Sequence, residues 1–189
     1  PGLVGAAVMA LATGDAPAAP VVEAPVALTT VPEQRQVVVI DAGHGGHDPG
    51  ASSRYATEKW VVLSVALKLK ALLEREGIEV ILTRGDDTFL TLQQRSLFSS
   101  SDRNVFVSIH ANAARDRSLS GVETFALTPA GAASSSGGKA LRSAFSGNSF
   151  DANNLLLASS IQRAVLRRTG AADRGVKRAR FAVLRDINA

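Results

Sequence analysis

The amino-acid sequence predicts an α/β fold, a single domain in which a mostly parallel, twisted sheet carries helices on both faces. Two continuous apolar runs, residues 37–40 and 105–109, are typical of strands buried on both faces of a parallel sheet. Between them, apolar residues recur at helical spacing over residues 61–73, so that strand and helix patterns alternate. The 189 residues, 46% hydrophobic and 20% charged, are enough for one globular domain.

The first 35 residues differ from the rest of the chain. Residues 2–12 are small and apolar, a stretch of the length expected for the core of a secretory signal and too short to span a membrane. Residues 16–32 are rich in proline and alanine, as extended linkers are. We therefore expect residues 1–35 to be a signal remnant and linker, or a tail without function, and the domain to occupy residues 36–189.

From residue 36 the predicted elements follow one another in order. Residues 37–40 form the first strand, and Thr57 is suited to cap a helix that stops at Gly77. The further elements are a strand at 79–83, a helix at 92–101, strands at 105–109 and 122–127, a helix at 155–169 and a strand at 181–184. Residues 128–154, rich in alanine, glycine and serine, are expected to form a loop-like insertion.

Two of the three histidines follow the two buried strands. His44 lies in a glycine-rich turn after the first strand, and His110 ends the second. Ligand sites in open α/β sheets form at the carboxyl ends of strands, so these side chains can converge. Glu58 opens the helix between them, where the helix dipole favours the ionised carboxylate that a metal ligand needs. A His, Glu, His set with an open fourth position is typical of catalytic zinc.

Each of these residues also has a structural interpretation. A histidine after a strand is often only hydrogen-bonded, and a glutamate at a helix start often only improves the electrostatics. Asp41 is expected either to fix a histidine tautomer or to stabilise the turn. Asn112 is expected to orient a substrate group or to form a turn, and His47 to contact substrate or face solvent.

Composition and motifs exclude several other functions. The chain has no cysteine, which excludes thiol catalysis, zinc ribbons and disulfide frameworks. It lacks the glycine spacing of a dinucleotide-binding turn and the lysine of a P-loop. Residues 163–185 carry eight Arg or Lys and one acid, so they are expected to face anionic wall polymers or to be a solvated surface. Nucleic acid is not an expected partner, because aromatic residues do not interleave with these charges.

Several separated motifs together resemble one enzyme family. They are DAGHGGHDPGA at 41–51, Glu58-Lys59, LTR at 82–84, SIHANA at 108–113 and DRGVK at 173–177, in the family's order. In these residues the chain resembles the zinc-dependent N-acetylmuramoyl-L-alanine amidases of bacterial cell-wall remodelling. The resemblance extends from residue 37 to residue 185.

The resemblance implies a hydrolase that cleaves the amide between N-acetylmuramic acid and L-alanine in peptidoglycan, as an autolysin of cell-wall remodelling and daughter-cell separation. It implies a Zn²⁺ cofactor held by His44, Glu58 and His110, which lowers the pKa of a bound water to about 7. Export to the periplasm or cell envelope is expected, without a transmembrane segment. The expected partners are peptidoglycan and, where the enzyme is regulated, an activator protein.

The expected general base is the weakest part of the match. In the family this glutamate lies on a final strand after the segment that resembles residues 181–185, so we expect that C-terminal strand to be missing from a chain that ends at Ala189. Glu123 is the internal candidate, the other interpretation being a strand carboxylate paired with a basic neighbour. Some members carry an autoinhibitory helix at the place of residues 128–154, where Asp151 is the only acid.

Two other functions are compatible with the same ligand set. A zinc carboxypeptidase-like enzyme would cut the peptide stem with the same metal chemistry. A non-catalytic peptidoglycan-binding fragment would keep the ligands without the base. Only the amidase releases peptides that begin with a free L-alanine.

Overall fold

The structure, a computed structural model, describes residues 6–12, 36–99, 105–112, 120–135 and 137–187. Within these ranges six strands form one sheet, and helices cover both of its faces, as predicted. The strands are β1 (Ala6–Ala12), β2 (Val37–Ala42), β3 (Glu79–Leu82), β4 (Val105–Ala111), β5 (Val122–Leu127) and β6 (Asp173–Ala179). The helices are α1 (Glu58–Arg75), α2 (Leu92–Ser96), α3 (Asp151–Thr169) and α4 (Ala182–Arg185), with a 3-10 helix at Ser146–Phe150.

The strand order is β3-β2-β4-β1-β5-β6, and the direction of the strands reverses once. β2, β3 and β4 are mutually parallel, β1 is antiparallel to β4, and β5 and β6 run parallel to β1. Consequently the carboxyl ends of β2 and β4 and the amino ends of β5 and β6 lie at the same edge of the sheet. We call this the His110 edge, after the residue near the end of β4.

Two clusters of buried apolar side chains hold the helices against the sheet. On one face, Val62 and Ala66 of α1 pack with Ile40 and Val107 of the sheet, and partly buried residues of α3 join them. On the other face, Leu184 of α4 packs in a cluster with apolar residues of β2, β4, β5 and β6. Each large apolar side chain buried in this way stabilises the fold by roughly 1.5–3 kcal/mol. Among the described residues no helix is long and apolar enough to cross a bilayer.

The position of β1 differs from the expectation that residues 1–35 lie outside the domain. Ala6–Ala12 lies between β4 and β5 and pairs with both. An apolar run of this length fits a buried strand as well as the core of an export signal, and periodicity alone does not separate the two. Residues 1–5 and 13–35 lie outside the described residues, so the linker stays a prediction.

The strand predicted at residues 181–184 is wrong. Up to residue 187, where the described residues end, the last strand is Asp173–Ala179, and Ala182–Arg185 forms one helical turn that buries Val183 and Leu184. Asp173–Ala179 is an edge strand of mostly polar, half-buried residues, so it lacks the apolar run that marks a central strand. The short apolar group after it packs as a helical turn instead.

The expected insertion at residues 128–154 is only partly a loop. Its last residues belong to α3, which begins at Asp151 and ends at the predicted cap, Gly170, with φ 63°. Residues 137–145 have no regular structure, and the Ser134 and Ser135 region before them bonds to β6 near Arg178 and Arg180. These contacts lie at the end of β6 opposite the His110 edge.

Candidate metal centre

Three side chains from separate elements meet at the His110 edge. His44 lies in the turn after β2, Glu58 is the first residue of α1, and His110 is the last residue but one of β4. Glu58 Oε1 lies 3.1 Å from His44 Nε2 and 3.1 Å from His110 Nδ1, and the two ring nitrogens are 3.2 Å apart. The structure thus places the three predicted ligands around one point, with Glu58 buried and both rings half-buried.

The geometry of these donor atoms fits zinc. Zinc bonds of about 2.0–2.1 Å at tetrahedral angles put neighbouring ligand atoms about 3.3 Å apart, close to the separations found here. Two imidazole nitrogens that face each other at 3.2 Å repel each other through their lone pairs unless a proton or a cation lies between them. Three protein ligands also leave a fourth position for a small oxygen ligand, as in catalytic zinc sites.

The electrostatics of the centre favour a cation. Burial by itself raises the pKa of the Glu58 carboxyl, but hydrogen bonds with His110 and His44 and from the backbone N–H groups of Ala51 and Ala111 lower it well below its usual range. The hydrogen bond to Glu58 is also the largest cause that raises the pKa of His44. The carboxylate is therefore ionised, and the raised pKa of His44 reflects the negative charges of Glu58 and Asp48 beside it.

Asp48 orients the ring of His44. Its Oδ2 lies 2.9 Å from His44 Nδ1, while its Oδ1 accepts a hydrogen bond of 3.1 Å from the backbone N–H of Gly50. A proton held on Nδ1 leaves Nε2, the atom facing the centre, free to bind a metal. Asp48 therefore has the role in fixing a tautomer that was one of the two expectations for Asp41.

Asp41 has the other expected role, which is structural. Its buried carboxylate accepts hydrogen bonds from Thr83 Oγ1 at 2.7 Å and Ser108 Oγ at 2.6 Å. Arg95 Nη1 lies 2.7 Å from the same group in an ion pair of two buried side chains. These contacts join β2 to β4 and to α2 directly below the turn that carries His44.

Two buried arginines hold that turn. Arg84 donates to the carbonyl oxygens of Ala42 at 2.8 Å and Gly43 at 2.7 Å, and Arg95 donates to those of Ala42 at 2.8 Å and His44 at 2.7 Å. His44 has φ 60°, a left-handed conformation that is uncommon outside glycine. The arginines supply partners to carbonyls where the chain leaves the sheet, and so stabilise a turn that the sheet alone would not.

Two glycines press directly on the imidazole rings. A Cβ atom added at Gly43 would lie 2.3 Å from Cε1 of His110, and one at Gly50 would lie 2.6 Å from Cδ2 of His44. Real Cβ contacts are never this short, so any other residue would displace the ring. The glycines of the turn therefore allow the backbone to fix the orientation of both histidines.

Glu123 lies in the same row of the sheet as His110, with one residue of β1 between them. Its carboxylate accepts hydrogen bonds from Arg174 Nε at 3.1 Å and from the ammonium group of Lys177. Burial by itself raises the pKa of Glu123, but the two cations lower it below its usual range. A general base works best with a pKa near neutrality, so these ion pairs disfavour that role.

The remaining predicted residues lie around the centre or away from it. Asn112 follows β4 directly and is exposed at the His110 edge. His47 is exposed, with its ring centroid 4.0 Å from that of Phe89. Asp151 accepts a hydrogen bond from Asn148 at the start of α3. With the loop before it joined to the opposite end of β6, this stretch does not match a plug over the metal ligands.

Three functional residues were missed in the sequence. Asp48 stands four residues after His44 in the same turn, a spacing that indicates a local contact. Arg84 belongs to a quoted motif but received no role, and Arg95 has no neighbouring motif at all. Nothing in the sequence alone shows that these two arginines fold back to the carbonyl groups of residues 42–44.

Comparison with known proteins gives a consistent set of relatives. The family described as N-acetylmuramoyl-L-alanine amidase matches residues 38–189. AmiC of Escherichia coli O6:H1 is 46% identical over 52% of this chain, and AmiC of Neisseria meningitidis serogroup B is 42% identical over 60%. The aligned parts make up only 24% and 29% of those relatives, so this chain corresponds to a minor part of their length. The uncharacterized protein YqiI of Bacillus subtilis is 35% identical over 85% of this chain and 69% of its own length.

Solved structures agree with these sequence matches. The catalytic domain of CwlV, an amidase from Bacillus (Paenibacillus) polymyxa, has a TM-score of 0.64 and 36% identity, covering 80% of this chain and 74% of that one. An N-acetylmuramoyl-L-alanine amidase from Clostridium difficile 630 has a TM-score of 0.53 and 26% identity, covering 82% and 75%.

Proposed function

The chain belongs to the N-acetylmuramoyl-L-alanine amidase family, and on that premise we propose that it hydrolyses the amide between N-acetylmuramic acid and L-alanine in peptidoglycan. The observation that carries the proposal is the convergence of His44, Glu58 and His110 at one edge of the sheet. Their donor atoms are separated from one another as the ligand atoms around one zinc ion are. We propose Zn²⁺ as the metal, because the chain offers two imidazoles and one carboxylate in the arrangement of catalytic zinc sites.

Bound zinc would polarise the scissile carbonyl and lower the pKa of a water to about 7. The residues of the chain prepare the centre for this chemistry. Asp48 holds a proton on His44 Nδ1 and keeps Nε2 directed inward, and the arginine contacts fix the turn. We assign to the exposed Asn112, two residues after His110, the task of hydrogen-bonding the amide groups of the peptide stem.

A second candidate is a peptidoglycan-binding module without hydrolytic activity. The observation that favours it is the pairing of Glu123 with Arg174 and Lys177, because that internal candidate for the base is tied to cations and has a lowered pKa. Both candidates place the protein outside the cytoplasm, where its proposed substrate is found. We therefore also propose export to the cell envelope, with a role in wall remodelling and cell separation.

The test is digestion of purified sacculi by the zinc-loaded protein, followed by mass spectrometry of the soluble products. The amidase predicts peptides that begin with a free L-alanine, and none from a His110→Ala variant. Peptides trimmed from their carboxyl end would instead identify the carboxypeptidase-like activity. Sacculi that sediment with the protein but stay intact would support the binding module.

A further inference from the structure

An exposed aromatic surface lies at the start of α1, the helix that begins with the candidate metal ligand Glu58. Tyr55 and Trp60 are the only tyrosine and tryptophan of the chain, and they are 68% and 51% exposed. Both residues line one shallow concavity, together with Arg54 and Thr57. We call Tyr55 and Trp60, with Arg54 and Lys59 beside them, the aromatic patch. Large rings left in solvent at one place typically indicate a binding surface.

Each ring of the aromatic patch has a cation against it. The guanidinium carbon of Arg54 lies 4.5 Å from the centroid of Tyr55, and the ammonium group of Lys59 lies 4.9 Å from that of Trp60. Cation–π contacts of this kind favour the observed positions of the rings. Part of the ordering of the aromatic patch therefore precedes binding, which lowers the entropic cost of binding.

The aromatic patch is built on the same elements as the metal ligands. The ammonium group of Lys59 donates to the carbonyl of Gly46, in the turn after His44, at 2.8 Å, and to Asp87 at 2.7 Å. One side chain therefore connects the indole ring to the metal-binding turn.

The loop that carries Tyr55 is likewise fixed to a metal ligand. Glu58 Oε2 accepts a hydrogen bond of 2.9 Å from the N–H of Ala51, and the N–H of Glu58 donates to the carbonyl of Ala51 at 2.8 Å. The same contacts thus fix the positions of the two rings and of the metal ligands. A ligand bound at the aromatic patch would therefore lie at a fixed distance from the metal centre.

We propose that the aromatic patch binds the glycan strand of peptidoglycan, with saccharide rings stacked on Trp60 and Tyr55 while the muramoyl amide lies at the metal centre. This inference rests on the proposed function. A pyranose ring presents an apolar C–H face that packs on a flat aromatic ring, while its hydroxyl groups need polar partners, and Arg54 and Thr57 line the same concavity. The glycan is also a polymer, so the saccharides next to the reacting one must lie against the surface beside the metal centre.

The single tryptophan makes this proposal directly measurable. The zinc-loaded chain is titrated with glycan strands from which the peptide stems have been removed, so that they contain no scissile amide. We expect a saturable change in the fluorescence of Trp60. Tyr55→Ala, an exposed substitution that keeps this reporter, should weaken the apparent affinity about tenfold, as loss of one central aromatic contact does. Leu72→Ala is the matched control. Leu72 lies on the same helix as Trp60 and is 51% exposed but lies outside the aromatic patch, so the affinity for the glycan should not change.

Three results would overturn the inference: no fluorescence change with the glycan, a change with the free stem peptide alone, or wild-type affinity in Tyr55→Ala. A failure of the proposed hydrolysis would be recognised separately. If the glycan still binds while sacculi stay intact, only the proposed amidase activity is refuted. On sacculi that are cleaved, Trp60→Ala should raise the KM about tenfold with kcat unchanged, as expected for a surface that binds the substrate away from the reacting bond. A fall in kcat alone would contradict the proposed position of the glycan.

Discussion

Arg95→Met tests how the metal-binding turn is held in place. The side chain of Arg95 is 5% exposed and that of its partner Asp41 is 1% exposed, so both charges are removed from water. The substitution keeps an apolar side chain of similar length. It removes the ion pair with Asp41 and the donors to the carbonyls of Ala42 and His44. Of the described residues, Thr83 and Ser108 would then be the remaining donors to the buried carboxylate.

The expected loss of stability follows from this uncompensated charge. Removing one partner of a buried ion pair costs about 3–5 kcal/mol, and an orphaned buried carbonyl adds about 1–3 kcal/mol that overlaps with it. A domain of this size unfolds with about 5–15 kcal/mol, so Arg95→Met should lose a large share of its stability. The double variant Asp41→Asn with Arg95→Met should recover part of the loss, because the unpaired charge is gone.

Denaturant unfolding of the zinc-free protein measures this effect without a contribution from the metal. Arg75→Met, at the exposed end of α1, is the matched control and should change stability by less than about 1 kcal/mol. Zinc affinity, from competition with a chelator, should fall about 10-fold to 100-fold in Arg95→Met, since the turn that carries His44 loses its support. A loss below about 1 kcal/mol, or an unchanged zinc affinity, would show that the contacts of Arg95 do not hold the turn.

Three further substitutions test separate features of the centre. Asp48→Asn should lower zinc affinity about 10-fold to 100-fold in the chelator assay, because the histidine tautomer is no longer fixed by a carboxylate; equal affinity would contradict this role. Gly43→Ala should abolish zinc binding because the added methyl group occupies the place of the His110 ring, whereas Gly85→Ala, where a Cβ atom meets nothing within 4 Å, should bind normally. Glu123→Gln should lower stability at pH 7 by about 1 kcal/mol. Because the folded-state pKa of Glu123 is lowered, this contribution is present above the unfolded pKa of about 4.3 and is lost as pH falls through the folded pKa. The difference in unfolding free energy between variant and wild type should therefore disappear in acid. A difference that does not depend on pH would show that the ion pairs contribute nothing.

Much of the fold could be predicted because its central elements are strongly patterned. The strands β2 and β4 are continuous apolar runs, and α1 has clear helical spacing with a glycine after its end. The three ligands of the candidate centre follow from the same pattern, since they sit where these elements end or begin. These predictions succeed because a strand buried on both faces of a sheet has an uninterrupted run of apolar residues.

The parts that could not be predicted depend on partners distant in the sequence. β6 is an edge strand of mostly polar residues, so its pairing with β5 has no periodic signal. No pattern in the sequence places Arg84 and Arg95 inside the fold, and only the folded chain shows that both reach the turn at His44. For β1 the sequence showed an apolar run, but the choice between an export signal and a strand depends on what else is available to pair with β4 and β5.

The place of β1 has a consequence for the order of events during folding. Within the described part of the chain, β4 and β5 are joined in the sheet only through β1, so without it the strands form two separate groups, β3-β2-β4 and β5-β6. Among the described strands β1 leaves the ribosome first, yet its partners lie about a hundred residues later, at Val105–Ala111 and Val122–Leu127. Pairings so distant in sequence close slowly, because the loop entropy is lost before the contacts form. During that delay the facing edges of β4 and β5 stay unpaired, and unpaired strand edges favour aggregation.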